Sequence, residues 1–259
     1  MFSRLEVDGG NMKSKKLNAN HLKMIAIVAM TIDHIADIIY PSFPANPVAI
    51  VMHMIGRLTA PIMWFFIAEG FFYTKNYPKY LFRMFVFALV SHFTYCFAFG
   101  INYIPFSRGD IFNQTSVMWP LAWGLVALFV LNKTEIEHWL KIIIILVINV
   151  ITFPSDWSCI AVMAIVAIYS NRGNLKKQMS DMMIWVAIYA IISFFFVDKL
   201  YGVVQLSVAL VYPVLKLYNG EKGKASWMKW FFYIYYPAHL IIIGILRLTL
   251  YGDVPLLFN

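Results

Sequence analysis

From Leu22 to Tyr40 the chain reads L-K-M-I-A-I-V-A-M-T-I-D-H-I-A-D-I-I-Y, which is apolar over a length that crosses a bilayer. Asp33, His34 and Asp37 nevertheless sit in its middle and outer part. An ionisable side chain at the centre of a membrane helix costs about 2.5–3.5 kcal/mol on insertion scales, so three within two turns require a compensating role. On a helix, positions 33 and 37 stack one turn apart, and 34 and 37 are also neighbours. A carboxylate beside an imidazole fixes its tautomer and raises its basicity, which suits a general base. His34 is the candidate base, with Asp33 or Asp37 to orient it.

Further apolar runs follow at intervals, and they are continuous rather than alternating, so the class is all-α, a polytopic transmembrane helical bundle rather than a barrel. Composition agrees: 61% of the 259 residues are hydrophobic and 13% charged, where soluble domains are nearer half and a quarter. The first 20 residues are polar. They read as a cytoplasmic tail ahead of an uncleaved signal-anchor, with 21–259 as a single membrane domain. Cys96 and Cys159 lie in different runs, so neither a disulfide framework nor a metal spacing can be read.

Spans are predicted near 21–40, 48–74, 79–100, 114–131, 136–153, 156–172, 181–197, 200–218 and 229–250. The fifth and sixth only just reach across a core of about 30 Å, and a re-entrant hairpin over 136–172, turning at Pro154-Ser155-Asp156, reduces nine spans to seven. Lys and Arg then separate by side. One face takes Arg4, Lys13, Lys15, Lys16 and Lys23, then Lys75, Lys79 and Arg83, then Lys133 and Lys141. The same face takes Arg172, Lys176 and Lys177, then Lys216, Lys222, Lys224 and Lys229. Arg108, Lys199 and Arg247 fall on the other, and Arg57 lies inside the second span. The positive-inside rule therefore places the amino terminus in the cytoplasm and the carboxyl terminus outside. The net charge of +8 is thereby a topology signal, not a nucleic-acid footprint.

Polar stations inside the spans mark the rest of a site. In the second span Pro61 displaces the carbonyl four residues back, that of Arg57, which predicts a kink opening a cavity. Arg57 either pairs with Asp33 or Asp37 or holds an anionic group. Glu69 lies near the cytoplasmic end, where it can act in the site or snorkel to the interface. Ser91, His92 and Tyr95 share a face of the third span, with His92 readable either as a substrate contact or as a satisfied interior histidine. His53 and His138 are expected near interfaces and solvated. Asn113 and Gln114 open the fourth span at the outer surface, placed to bond a substrate or to cap the helix. His239 lies mid-membrane just after Pro237, among tyrosines.

Four blocks together resemble the TraX family, membrane proteins associated with acetylation of conjugative pilin: L-K-M-I-A-I-V-A-M-T-I-D-H-I (22–35), I-G-R-L-T-A-P-I-M-W-F-F-I-A-E-G-F (55–71), Y-L-F-R-M-F-V-F-A-L-V-S (80–91) and F-F-Y-I-Y-Y-P-A-H-L (231–240). Asp37 stands where small residues are more usual in that family, and the opening of the fourth span matches only loosely. The family is similar to a broader group of polytopic acyltransferases with a histidine on an early helix and acyl-CoA drawn from the cytoplasm. The resemblance implies roles for Asp33, His34, Arg57, Glu69 and His239.

The expectation is an acetyltransferase of the bacterial cytoplasmic membrane, with the lipid bilayer, acetyl-CoA and a peptide or glycan acceptor as partners and no nucleic acid. Acetyl-CoA approaches from the cytoplasm, its phosphates held by Arg83, Arg172, Lys176, Lys177, Lys222 and Lys224. The acceptor, contacted by His92, Tyr95, Asn113 and Gln114, is the amino-terminal α-amine of a small membrane-borne peptide such as pilin, or alternatively a hydroxyl of an envelope glycan. A proton-coupled transporter is the rival reading, since buried Asp, His, Arg and Glu also describe a proton path. The absence of paired halves weighs against it.

Overall fold

A computed structural model describes residues 16–107, 111–225 and 227–256. Arg4, Lys13, Lys15 and Arg108 lie outside the described residues, as does the side chain of Lys229. Regular structure among the described residues is helical, joined by two isolated parallel bridges, Leu17 with Tyr218 and Thr115 with Ser155. The helices are α1 (Ala19–Ile39), α2 (Pro47–Gly56), α3 (Thr59–Tyr73), α4 (Tyr77–Phe99), α5 (Met118–Asn132), α6 (His138–Thr152), α7 (Ile160–Ser170) and α8 (Leu175–Phe196). They continue with α9 (Lys199–Gln205), a 3₁₀ stretch (Leu206–Leu210), α10 (Val211–Lys216) and α11 (Met228–Tyr251).

Local chemistry sets the starts. Asn18, Asn46, Asn76, Asn174 and Asp198 each cap a helix by accepting backbone N–H groups of its first turn. Pro47 sits in the first turn of α2 and Pro78 in that of α4, where a missing N–H costs nothing. The segment Pro47–Tyr73 is one apolar length broken at Arg57-Leu58. Pro61 falls in the first turn of α3, so the break lies four residues upstream of the proline, at the carbonyl its ring displaces.

Among the described residues, four helical segments are long and apolar enough to cross a membrane: Pro47–Tyr73, Tyr77–Phe99, Leu175–Phe196 and Trp230–Tyr251. Helices α5, α6 and α7 are equally apolar but shorter. Helix α1 carries Lys23, Asp33 and Asp37 along its length. Helices α3, α5 and α7 pack together at the centre, with Ile62, Trp64, Leu121, Leu125 and Ile165 fully buried. An apolar surface on every side is what such a position demands. Around them α1 packs on α2, α3 and α11, α4 pairs along α11, and α8 covers α7 and α9. The outside is itself apolar. Val150, Phe195, Phe196 and Ile234 are each more than half exposed, and an apolar surface this extensive needs lipid rather than water against it.

One interfacial assignment is corrected. His53, expected near the surface and solvated, is 1% exposed. Helix α2 folds against α1, which turns His53 inward onto Asp33.

Candidate active site

Where α1 passes the break between α2 and α3, a hollow of about 90 Å³ opens, bordered by Asp33, His34, Asp37, Arg57, Tyr95, Asp156, Tyr201 and Tyr236. Asp156 reaches it because two connections are stitched together: its N–H donates to the Thr115 carbonyl at 2.8 Å and that of Gln114 to the Pro154 carbonyl at 2.6 Å. The same stitching brings Asn113, at φ 53°, to the rim.

Asp33 does not orient His34. Its carboxylate accepts from His53 Nδ1 at 2.8 Å and from Arg57 Nη2 at 3.2 Å to each oxygen. Gly56 makes this possible, since a Cβ there would overlap the Asp33 carboxyl group. Arg57 also donates through Nε to the His53 carbonyl at 3.4 Å. Of its two expected roles, the arginine therefore takes that of ion-pair partner.

His34 is held instead by His239. Nδ1 of His34 lies 2.9 Å from Nε2 of His239, and Nδ1 of His239 lies 3.0 Å from the Tyr235 carbonyl. A carbonyl only accepts, so His239 carries its proton on Nδ1 and offers the lone pair of Nε2. His34 must then donate from Nδ1, which leaves its Nε2 as the unprotonated nitrogen. Tyr235 is tied in turn to α1 through its hydroxyl, 2.6 Å from that of Thr31. Phe99 meets the His34 ring edge-on at 5.4 Å. A residue 205 positions away thus fixes the tautomer a general base needs.

Asp37 and Asp156 border the hollow with no ion pair among the described residues, so its carboxylates outnumber its single guanidinium. The Tyr95 hydroxyl also has no hydrogen-bond partner among the described residues, although the residue is 4% exposed and faces the hollow. The other expected acceptor contacts divide. Asn113 reaches the hollow. His92 does not: it accepts from the Thr115 hydroxyl at 3.0 Å and donates to the Tyr103 carbonyl at 2.9 Å, clamping a loop. Gln114 is spent on the Phe112 carbonyl and the Phe106 N–H.

A larger cavity of about 610 Å³ lies at the other end of α3, lined by Lys23, Glu69, Tyr73, Tyr80, Arg83, Lys222 and Tyr233. Arg83 donates to the Tyr233 hydroxyl at 3.0 Å. Glu69 does not join the histidines but pairs with Arg172 at 2.8 Å. That arginine also donates to the Tyr73 hydroxyl at 3.0 Å and stacks 3.5 Å over Phe72. Burial works against the Arg172 charge, but the Glu69 carboxylate and Tyr73 outweigh it and raise its pKa above the ordinary value. Of the six cationic residues expected at the donor site, Arg83 and Lys222 line this cavity, while Lys176, Lys177 and Lys224 do not. Lys23 joins them. No group of three or more His, Cys, Asp or Glu among the described residues is placed to hold a metal ion.

Sequence reasoning missed Asp156, Tyr201 and Tyr236. Asp156 reads as a turn residue after Pro154-Ser155, and only the bridge between distant loops shows otherwise.

A helical bundle with an apolar outer surface, a charged hollow beside the α2–α3 break and a basic cavity at the other end of α3 defines the class, a polytopic membrane protein. The profile of the TraX protein family matches residues 18–247, and the chain belongs to that family. It is 28% identical over 236 residues to a probable fimbrial assembly protein FimC, serogroup H1, of Dichelobacter nodosus, covering 87% of this chain and 94% of that one. It is also 28% identical over 127 residues to the uncharacterized protein RP591 of Rickettsia prowazekii (strain Madrid E), covering 40% of this chain and 48% of that one. No solved structure matches.

Proposed function

We propose that the protein is an integral-membrane acetyltransferase of the bacterial cytoplasmic membrane, moving an acetyl group from acetyl-CoA to the amino-terminal α-amine of a small membrane or secreted peptide such as pilin. In this reading the chain crosses the bilayer nine times, or seven where 136–172 is re-entrant, with its amino terminus in the cytoplasm and its carboxyl terminus outside. The observation that carries the proposal is the Tyr235–His239–His34 chain, which leaves one imidazole nitrogen unprotonated on a residue bordering the hollow. The fimbrial assembly name of the Dichelobacter nodosus relative fits a pilin-like acceptor.

Acetyl-CoA occupies the larger cavity, whose volume suits a cofactor-sized arm, with Lys23, Arg83 and Lys222 about its phosphates. The amine arrives as an ammonium, drawn by the excess of carboxylates, and gives one proton to Asp37 or Asp156. Two carboxyl groups without an ion pair among the described residues, Asp37 and Asp156, offer an amine counter-ions and a proton acceptor that a glycan hydroxyl would not need. The neutral nitrogen then attacks the thioester carbon while Nε2 of His34 takes a second proton. The Tyr95 hydroxyl, which borders the hollow, is the donor this reading assigns to the developing oxyanion, with Arg57 committed to Asp33. The C–S bond breaks, and the departing sulfur takes the proton from His34. The products are the amide, CoA thiol and one proton.

The test is thiol release from acetyl-CoA by protein purified in detergent, with a free-amino-terminal hexapeptide as acceptor and its amine-blocked form as control. Release that requires the free amine and falls about 10²–10⁴-fold in His34→Ala is expected. Equal rates for the two enzymes, or no release at all, would overturn the reading.

A further inference from the structure

The two hollows follow one another along the same face of α3. Thr59, Ala60 and Met63 border the smaller, and Met63, Phe66 and Gly70 border the larger, in the three- and four-residue steps of a single helical stripe. Among the described residues Met63 alone borders both. It stands six residues before Glu69, roughly 9 Å along the helix axis at 1.5 Å per residue, and four residues after Thr59, where α3 begins. Helix α4 repeats the pattern, with Phe87 on the larger hollow and Tyr95 on the smaller. Between them Ser91 is fully buried, and its hydroxyl has no hydrogen-bond partner among the described residues.

We propose that Met63 is the partition between the donor and acceptor hollows and sets the length of acyl chain transferred. This rests on reading the larger cavity as the thioester site. An unbranched side chain with three rotatable bonds can swing aside for a small group without disturbing the helix. Beyond it the hollow holds about 90 Å³, room for a two-carbon acyl group beside an amine. A longer chain must displace the thioether from both sides at once. Truncating Met63 joins the hollows and removes that limit.

Thiol release from acetyl-, butyryl- and hexanoyl-CoA in detergent tests this in wild type, Met63→Ala and Met63→Leu. In Met63→Ala the butyryl-to-acetyl ratio of kcat/KM is expected to rise about tenfold or more, the scale of discrimination that added methylenes command in an apolar pocket. Met63→Leu, close in volume, keeps the wild-type ratio. An unchanged ratio in a Met63→Ala protein that melts cooperatively overturns the assignment. A second readout does not depend on catalysis. In a Cys96→Ser, Cys159→Ser background, Ala60→Cys is exposed from the lysine-rich side of sealed vesicles to a small charged methanethiosulfonate. Adding Met63→Ala should speed its labelling about tenfold, and equal rates overturn the partition. Should no thioester release thiol in any variant, the transfer reading fails and the labelling alone decides the role of Met63.

Discussion

His34 and His239 gain their chemistry from each other. A neutral imidazole has one donor and one acceptor nitrogen, and the Tyr235 carbonyl settles which is which for both rings. Replacing His239 with Phe removes the acceptor for His34 Nδ1, so the base loses its fixed tautomer while its own ring stays. The expected result is a fall of roughly 10²-fold in kcat, with the double variant His34→Ala, His239→Phe no slower than His34→Ala alone, because residues acting as a unit are not additive. His239→Gln, which can still accept that proton, should recover part of the rate. Additive losses in the double variant would show the two rings acting separately. Each histidine stood out in the sequence as a polar residue in an apolar run. Their partnership did not, because Asp33 and Asp37 are near neighbours in the chain while His239 is 205 residues away. Asp33 turns to Arg57, a pairing the sequence offered as one alternative, and to His53, which only the folding of α2 onto α1 reveals.

The break at Arg57-Leu58 is the element on which the hollow depends. Helix α1 passes it so closely that Gly56 leaves the space the Asp33 carboxyl group occupies. Gly56→Ala must therefore push Asp33 off Arg57 and His53 or part the two helices. Overpacking of this kind costs about 1–3 kcal/mol, and the displaced pair adds a buried charge without its counter-ion. The melting temperature in detergent is expected to fall, and thiol release with it. Unchanged melting and activity would mean that the contact yields freely. The apolar runs marked the helices well: 79–100 became Tyr77–Phe99, and 229–250 became Met228–Tyr251. Pro61 announced the interruption, and proline chemistry places it upstream, since the ring is harmless in a first turn. Nothing local announced that Asp156 would enter the hollow. That follows from backbone bonds between two connections about 40 residues apart, a pairing no periodicity encodes.

For the whole molecule, length and charge constrain different things. Eleven residues of α7 rise roughly 16 Å, about half a hydrocarbon core, whereas 22 residues of α8 rise roughly 33 Å and suffice alone. Helix α7 is buried by α3, α5 and α8, so its shortness is compatible with a packing role that a hydropathy pattern cannot separate from crossing. The distribution of Lys and Arg is independent of that count, because each unambiguous long helix fixes the sides of its own ends. Lys176 opens the first turn of α8, and Lys199 follows its last turn. In the proposed topology, cysteines placed at these two positions in a Cys96→Ser, Cys159→Ser background lie on opposite sides of the bilayer. An impermeant maleimide applied to intact spheroplasts is expected to label Lys199→Cys and to reach Lys176→Cys only after lysis. The opposite pattern would put the larger cavity, with Lys23, Arg83 and Lys222, outside the cell, where cytosolic acetyl-CoA does not reach it. The transfer chemistry would then lose its donor even with the histidine pair intact.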